Sequence, residues 1–337
     1  LPLLLLASNA FADAVITSVT PNSGPVAGGT RITIKGSGFT NTCILCSPPI
    51  VSPPTVELHV SATCCENGAV PATDVKFIDA TTLEATTPAR LPATYSVVVR
   101  NPRASNFAIA ANAFTYTGDP HDGFEPILFP IFTHNVYGAF GSIFYTSAVV
   151  YPKGDPIQLY GEDSRCDSST SPARPAYGPL QAQPIDGETP LRPFCNDNVA
   201  RILWTPKGQA SSLAAGLRVG DASRATATHG TEIPVVRESD FTTGKIVLLD
   251  APFDARLPFR VRLRIYSLAK TSGPVTIEGV GQVALTPAPD FFTPSYAEVT
   301  DLPPGQRIVI LPSGVPLWAF ATVTNNDTQQ ITTITPQ

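Results

Sequence analysis

The chain has 337 residues, 35 of them Pro and 24 Gly, with no Met, 15% charged residues and a formal net charge of −5. This length accommodates about two domains, and a hydrophobic share of 43% excludes wholesale disorder. Pro at this frequency excludes a helical bundle, and the acidic balance argues against a general nucleic-acid binder. What remains is a strand-and-turn protein.

The first residues, Leu1–Ala7, form an apolar run followed by Ser8-Asn9-Ala10-Phe11-Ala12. That pattern matches the apolar region and small-residue cleavage site of a secretory signal, without its basic start or initiator Met. A signal-peptide remnant over residues 1–12, cleaved after Ala12, is therefore expected. The alternative is an apolar first strand, against which the Leu run counts, because strands favour β-branched residues. No segment reaches the roughly 18 apolar residues of a membrane span. The expected location is secreted: extracellular, periplasmic or at the cell surface, with no transmembrane segment.

Six Cys suit that compartment, since an even count in an exported chain points to disulfides. Cys43, Cys46, Cys64 and Cys65 form one group, Cys166 and Cys195 another. The first group has the composition of a four-thiolate zinc site, but adjacent Cys65 and Cys64 make a strained tetrahedral pair and the knuckle glycines are missing. A redox-active Cys43-Ile44-Leu45-Cys46 lacks a surrounding βαβ pattern. The expectation is loop-stapling disulfides, with the segment around Cys43 and Cys46 pinned to Cys64 and Cys65. A Cys166–Cys195 bond would close a Pro-rich loop, stabilising it by about 3–4 kcal/mol in the chain-entropy model.

From Ile16 to Phe39 the chain reads as a short strand, a Pro/Gly turn and an alternating strand, Thr30–Lys35, with Ile32 and Ile34 on one side. Further strands are predicted at Val56–Val60, Val75–Ile78, Thr82–Thr86, Tyr95–Val99 and Ala113–Tyr116. About seven strands in some 100 residues is the arithmetic of an immunoglobulin-like sandwich. Val19-Thr20-Pro21, Ser23-Gly24-Pro25, Gly28-Gly29-Thr30 and Gly36-Ser37-Gly38-Phe39 resemble the opening of an IPT/TIG domain. Thr86-Thr87-Pro88-Ala89 and Ala113-Phe114-Thr115-Tyr116 also sit where that family has them. The resemblance covers residues 14–117 and departs at an insertion around Asn41–Pro54. IPT/TIG domains occur in plexins, some transcription factors and many bacterial surface proteins. The resemblance implies binding or spacing, so Gly36–Phe39 is not read as a phosphate-cradling loop; a strand, not a helix dipole, adjoins it.

Residues 118–126 read as a polar linker, and 127–337 as a second β-sandwich domain. Its predicted strands are Ile127–Phe132, Ile143–Tyr151, Ile157–Tyr160, Arg201–Trp204, Leu217–Val219, Glu232–Val236, Lys245–Leu249, Phe259–Leu268, Val275–Leu285, Arg307–Leu311, Leu317–Thr324 and Gln330–Thr335, with a long loop at 161–195. The fold class is therefore all-β. In Phe259–Tyr266, alternation places Phe259, Val261, Leu263 and Ile265 on the core face and Arg260, Arg262 and Arg264 on the other. The arginine row reads either as a binding surface for an anionic polysaccharide or as a solvated face paired with cross-strand carboxylates. Trp318 and Phe320 read as core rather than as a sugar platform. The closing segment Leu317–Asn326 is similar to the last strands of uncharacterised exported bacterial proteins, a similarity that carries no activity. Asn326-Asp327-Thr328 has glycosylation spacing and reads as a polar turn.

Chemistry is sparse. His59, His121, His134 and His229 are the four histidines, and no nucleophile elbow, zincin helix or P-loop motif occurs. The best histidine is His229, in a loop with Asp221 and Glu232 near in sequence, though a turn histidine bonded to backbone fits it better. The carboxyls Glu162, Asp163, Glu232, Glu238 and Asp240 offer no spacing that selects a glycosidase pair. Calcium has two candidate sites: Asp119, Asp122 and Glu125 beside His121, and Glu162, Asp163, Asp167, Asn196 and Asp197 near the Cys166–Cys195 loop. No other cofactor is expected. The sequence thus points to an exported, non-catalytic binding or surface-building protein with a protein or glycan partner. A carbohydrate-active enzyme or its accessory module competes with that reading, and a self-assembling surface component is a third.

Overall fold

The computed structural model describes residues 13–43, 46–60, 69–104, 106–133, 136–161, 182–191, 199–223, 229–252, 258–270, 273–302 and 307–337. Every regular element among them is a β-strand or a single 3-10 turn. The chain divides into two compact units: one ends at Phe124 and the other runs from Glu125 to Gln337, apart from the short stretch Leu180–Ala182. The expected signal segment, 1–12, lies outside the described residues, as do Cys64, Cys65, Cys166, Cys195 and His134.

The first unit is a sandwich of two sheets. One has the strand order Val15–Thr20, Arg31–Ser37, Thr82–Thr86, Thr73–Asp79; the other runs Ser23–Pro25, Ala108–Thr117, Thr94–Arg100, Thr55–His59, Val70–Pro71. Period-two alternation sends Ile32, Ile34, Leu83 and Ala85 from the first sheet against Val56, Leu58, Val97, Val99 and Phe114 from the second, forming one apolar core. Phe114 and Tyr95 both meet Tyr116 edge-on, at 4.9 and 5.4 Å between ring centres. Each buried phenol finds a carbonyl: Tyr95 Oη donates to Leu91 O and Tyr116 Oη to Pro88 O. Gly28 is required where it stands. Its φ is +75°, and a Cβ there would meet Pro88 and Ala89 backbone at 2.5–2.6 Å.

The Asn41–Pro54 insertion folds as a small hairpin in which Thr42 pairs with Val51 and Cys43 with Ile50. Its disulfide corrects the sequence expectation. Cys43 bonds to Cys46, not to the Cys64–Cys65 segment. The reason is local: Cys46 N–H donates to Cys43 O, and this turn brings the two Cα atoms to 5.4 Å, inside disulfide range.

Among the described residues the second unit divides its strands among four sheets. The first runs Ala182–Ile185, Ile157–Tyr160, Val199–Pro206, Phe124–Phe132, Val236–Arg237. The second runs Val136–Tyr137, Ile143–Pro152, Leu213–Asp221, Thr231–Glu232, with Thr189–Leu191 also on Ile143–Pro152. The third is Ile246–Leu249, Arg307–Leu311, Val275–Ile277, Gly281–Val283, and the fourth Ser295–Val299, Phe259–Ser267, Trp318–Asn325, Ile331–Ile334. The last two share a core in which Leu248, Ile277 and Ile310 face Leu263, Ile265, Ala319 and Ala321. Predicted Val275–Leu285 is in fact two strands, because Gly279 and Gly281 take positive φ and turn the chain between them. Within the expected loop 161–195 lie the strands Ala182–Ile185 and Thr189–Leu191. Phe259, expected on the core face, is instead more than a third exposed at the strand's start.

The other face of Phe259–Ser267 is buried as well at its Arg264 and Tyr266 end. Tyr266 Oη donates to Pro130 O at 2.6 Å, and Tyr266, Trp318 and Phe320 stack with ring centres 5.2–6.4 Å apart. Trp318 and Phe320 are thus core residues, on the side opposite Ala319 and Ala321. Being covered on both faces explains why Trp318–Thr324 is buried without alternation.

Candidate functional site

The arginine row does not form an open cationic surface along its length. Arg264 is buried, with Nε 3.1 Å from Glu298 Oε2, an Nη1–H donated to Thr322 Oγ1 and its guanidinium over the Phe320 ring. Arg262 shares the same carboxylate, 3.3 Å from Glu298 Oε1. The cross-strand carboxylate partner is there, but at the Arg264 end the face is covered rather than solvated. Burial pushes the Arg264 guanidinium below its usual range and the Tyr266 phenol above its own.

Arg260, at the outer end of the row, is held differently. It donates Nη1–H to Asn326 Oδ1 at 2.8 Å and Nη2–H to Gln329 Oε1 at 2.6 Å, both neutral acceptors. Burial first, and then the like charge of Arg262, push it below its usual range. Its acceptors come from the turn after Trp318–Asn325, where Asn325 Oδ1 accepts from Asp327 and Thr328 N–H. That is the polar turn expected at Asn326-Asp327-Thr328.

The Arg260 guanidinium sits 5.6 Å from the centre of the Phe140 ring, inside cation–π range. Phe140 belongs to a hairpin, Val136–Phe144, that sequence reasoning missed. Val136 pairs with Phe144 and Tyr137 with Ile143, and Gly138 N–H donates to Ser142 O at 2.8 Å. A Cβ on Gly138 would lie 2.4 Å from Phe144 and Ser142 side-chain atoms, so a larger residue there would have to displace them. Phe140 has φ 58° and ψ 31°, a left-handed conformation rare for an aromatic residue. This backbone leaves Tyr137 81% and Phe140 66% exposed. The available signal was Tyr137-Gly138-Ala139-Phe140-Gly141, two aromatics spaced by turn glycines.

The remaining candidates are dispersed. Asp119 caps the 3-10 turn Pro120–Asp122 and lies 2.7 Å from His121 Nδ1, while Glu125 accepts from Ala210 N–H. Among the described residues no three His, Cys, Asp or Glu side chains group as metal ligands. Glu162, Asp163, Asp167, Asn196 and Asp197 lie outside the described residues. Asp221 accepts from Ile143 N–H and Ser223, Glu232 pairs with Arg218, and Asp240 caps Arg237 N–H, while His229 is exposed.

In the first unit the strand order, the Gly28 turn and the Tyr95 and Tyr116 carbonyl bonds together describe an immunoglobulin-like module. Residues 14–116 match the IPT/TIG domain family. No curated protein matches the chain. The IPT/TIG module is of a non-catalytic, immunoglobulin-like kind. Its disulfide-closed hairpin projects Ile50 and Val51 into solvent. Asn101 anchors the base of that hairpin, accepting from Thr40 N–H and donating to Gly38 O. On Thr55–His59, His59 is buried with Nε2 3.0 Å from Glu57 Oε2, a contact that holds the Glu57 carboxyl below its usual range.

Proposed function

We propose that the chain is an exported, non-catalytic protein that works by binding or by building surface structure. The IPT/TIG module serves as spacer or recognition domain, and the larger unit presents the contact surface. The observation that carries this reading is the Val136–Phe144 hairpin, whose backbone holds two aromatic rings in solvent instead of in a core. Single exposed apolar residues are ordinary, but paired aromatics on a fixed turn are a feature of recognition surfaces. The Cys43–Cys46 bond supports export, because disulfides persist in oxidising compartments. The test is retention of immobilised full-length protein against a panel of glycans and surface-protein extracts. The expected result is one retained class whose retention falls in the Tyr137→Ala/Phe140→Ala double variant while the far-ultraviolet spectrum is unchanged. Turnover of a glycan or ester, abolished by a single carboxyl or His substitution in a folded variant, would overturn the reading.

A further inference from the structure

Resting on that binding reading, the geometry points to an acidic polysaccharide as the ligand of the Val136–Phe144 hairpin: a uronate chain whose pyranose rings stack on Phe140 and Tyr137 and whose carboxylate takes the remaining donors of Arg260.

Three observations converge. The first is the donor count. A guanidinium carries five N–H groups, and Arg260 uses two of them on Asn326 and Gln329. Neither of those acceptors carries charge, and among the described residues no carboxylate pairs with Arg260. Its Nε makes neither of those bonds and is not among the buried atoms that lack one, so this edge of the fork reaches solvent. A carboxylate is the natural partner for such a fork.

The second is charge balance. Arg260, Arg262 and Arg264 follow one another along one strand face, and the single carboxylate of Glu298 is shared by Arg262 and Arg264. The row therefore keeps a local surplus of positive charge on a chain of net −5. Arg260 is the member of the row that Glu298 does not engage.

The third is shape. Two exposed rings lie on one short hairpin, and the half-buried Asn326 amide lies beside Arg260, whereas Gln329 is buried with its amide bonded to Arg260 and Asn326. A stable protein interface buries about 800 Å² per partner, far more than two side chains supply. A pyranose needs only a flat ring for its C–H face and amide groups for its hydroxyls. The left-handed backbone at Phe140 fixes that ring at a conformational cost, and the Arg260 contact occupies a guanidinium-sized part of its environment without burying it.

The experiment is titration of the full chain with polygalacturonate and with the same polymer fully methyl-esterified, which keeps the sugar and removes the charge. Polygalacturonate should bind at least about tenfold more tightly than the ester, and Arg260→Gln should erase most of that difference. Phe140→Ala and Tyr137→Ala should each weaken binding about tenfold. Tyr137→Ala keeps the test valid if Arg260→Gln disturbs the 325–329 turn, since this side chain is largely in solvent. Equal binding of acid and ester would overturn the uronate assignment while leaving glycan binding intact. Binding of dextran sulfate as tight as that of polygalacturonate, unaffected by Phe140→Ala, would also overturn it, as nonspecific polyanion attraction. Absence of binding to either polymer overturns it too. A glycan panel that is blank as well, with a protein retained instead, separates that failure from failure of the binding reading itself.

Discussion

The two sandwiches nearest the chain ends, residues 14–116 and 246–334, face the same packing problem and treat their arginines differently. In the IPT/TIG module the core is apolar and aromatic, its buried phenols are satisfied by carbonyls of neighbouring turns, and its buried arginine, Arg90, lies 4.4 Å from the Tyr95 ring centre. In the C-terminal sandwich the strand Trp318–Asn325 is buried on both faces. The inner face of its sheet is aliphatic; the outer carries Arg264, Tyr266, Trp318 and Phe320 around Glu298. The first arrangement spends its stability on shape. The second holds a buried guanidinium against a carboxylate that stays in contact with solvent, so losing that carboxylate leaves the Arg264 charge without its ion-pair partner. Arginines on one strand face therefore do not share one role: Arg264 is structural, whereas Arg260 is available.

The contrast can be tested with a built-in reporter, because both tryptophans, Trp204 and Trp318, belong to the second unit. The largest effect is expected from Phe114→Ala, which empties the centre of the IPT/TIG core and should cost about 3–5 kcal/mol. Calorimetry of the full chain should show one transition lowered while the tryptophan-monitored transition stays in place. Equal movement of both would mean that the two units unfold together. Next comes Glu298→Gln, expected to cost about 1–2 kcal/mol, because it removes the carboxylate from buried Arg264 beside Phe320 while Glu298 itself is partly solvated. Here the fluorescence transition should move, and Arg264→Met in the same background should recover part of the loss.

The smallest effect is acid sensitivity in the IPT/TIG module. The Glu57 carboxyl is held below its ordinary value of 4.5, so its stabilisation is present above that value and is lost as pH falls through the lowered one. Glu57→Gln should flatten the acid limb of the denaturation profile by less than about 1 kcal/mol, since Glu57 is partly solvated. An unchanged acid limb would remove the His59–Glu57 contact from the account.

Much of the first unit was legible. Ile32 and Ile34 alternate cleanly, Gly28 marks a turn only glycine can make, and strand Thr82–Thr86 is bounded as predicted. The Cys43–Cys46 bond was not, because spacing alone allows several pairings and a local turn decides among them. Alternation also misled at Arg264. Polar residues on one face imply solvent only when nothing packs there, and a second layer of sheet breaks that inference. The hairpin at Tyr137 and Phe140 escaped for the opposite reason: aromatics near strands look like core, and only three-dimensional placement shows them turned outward.

Phe140 carries one more implication. At φ 58° the backbone would prefer Gly or Asn, so selection for folding alone would replace the aromatic there. Phe140→Gly is then a change that favours the chain's own stability at the expense of what it meets outside. A position where the two demands diverge marks the boundary between the parts of this protein that serve its architecture and the parts that serve its surroundings.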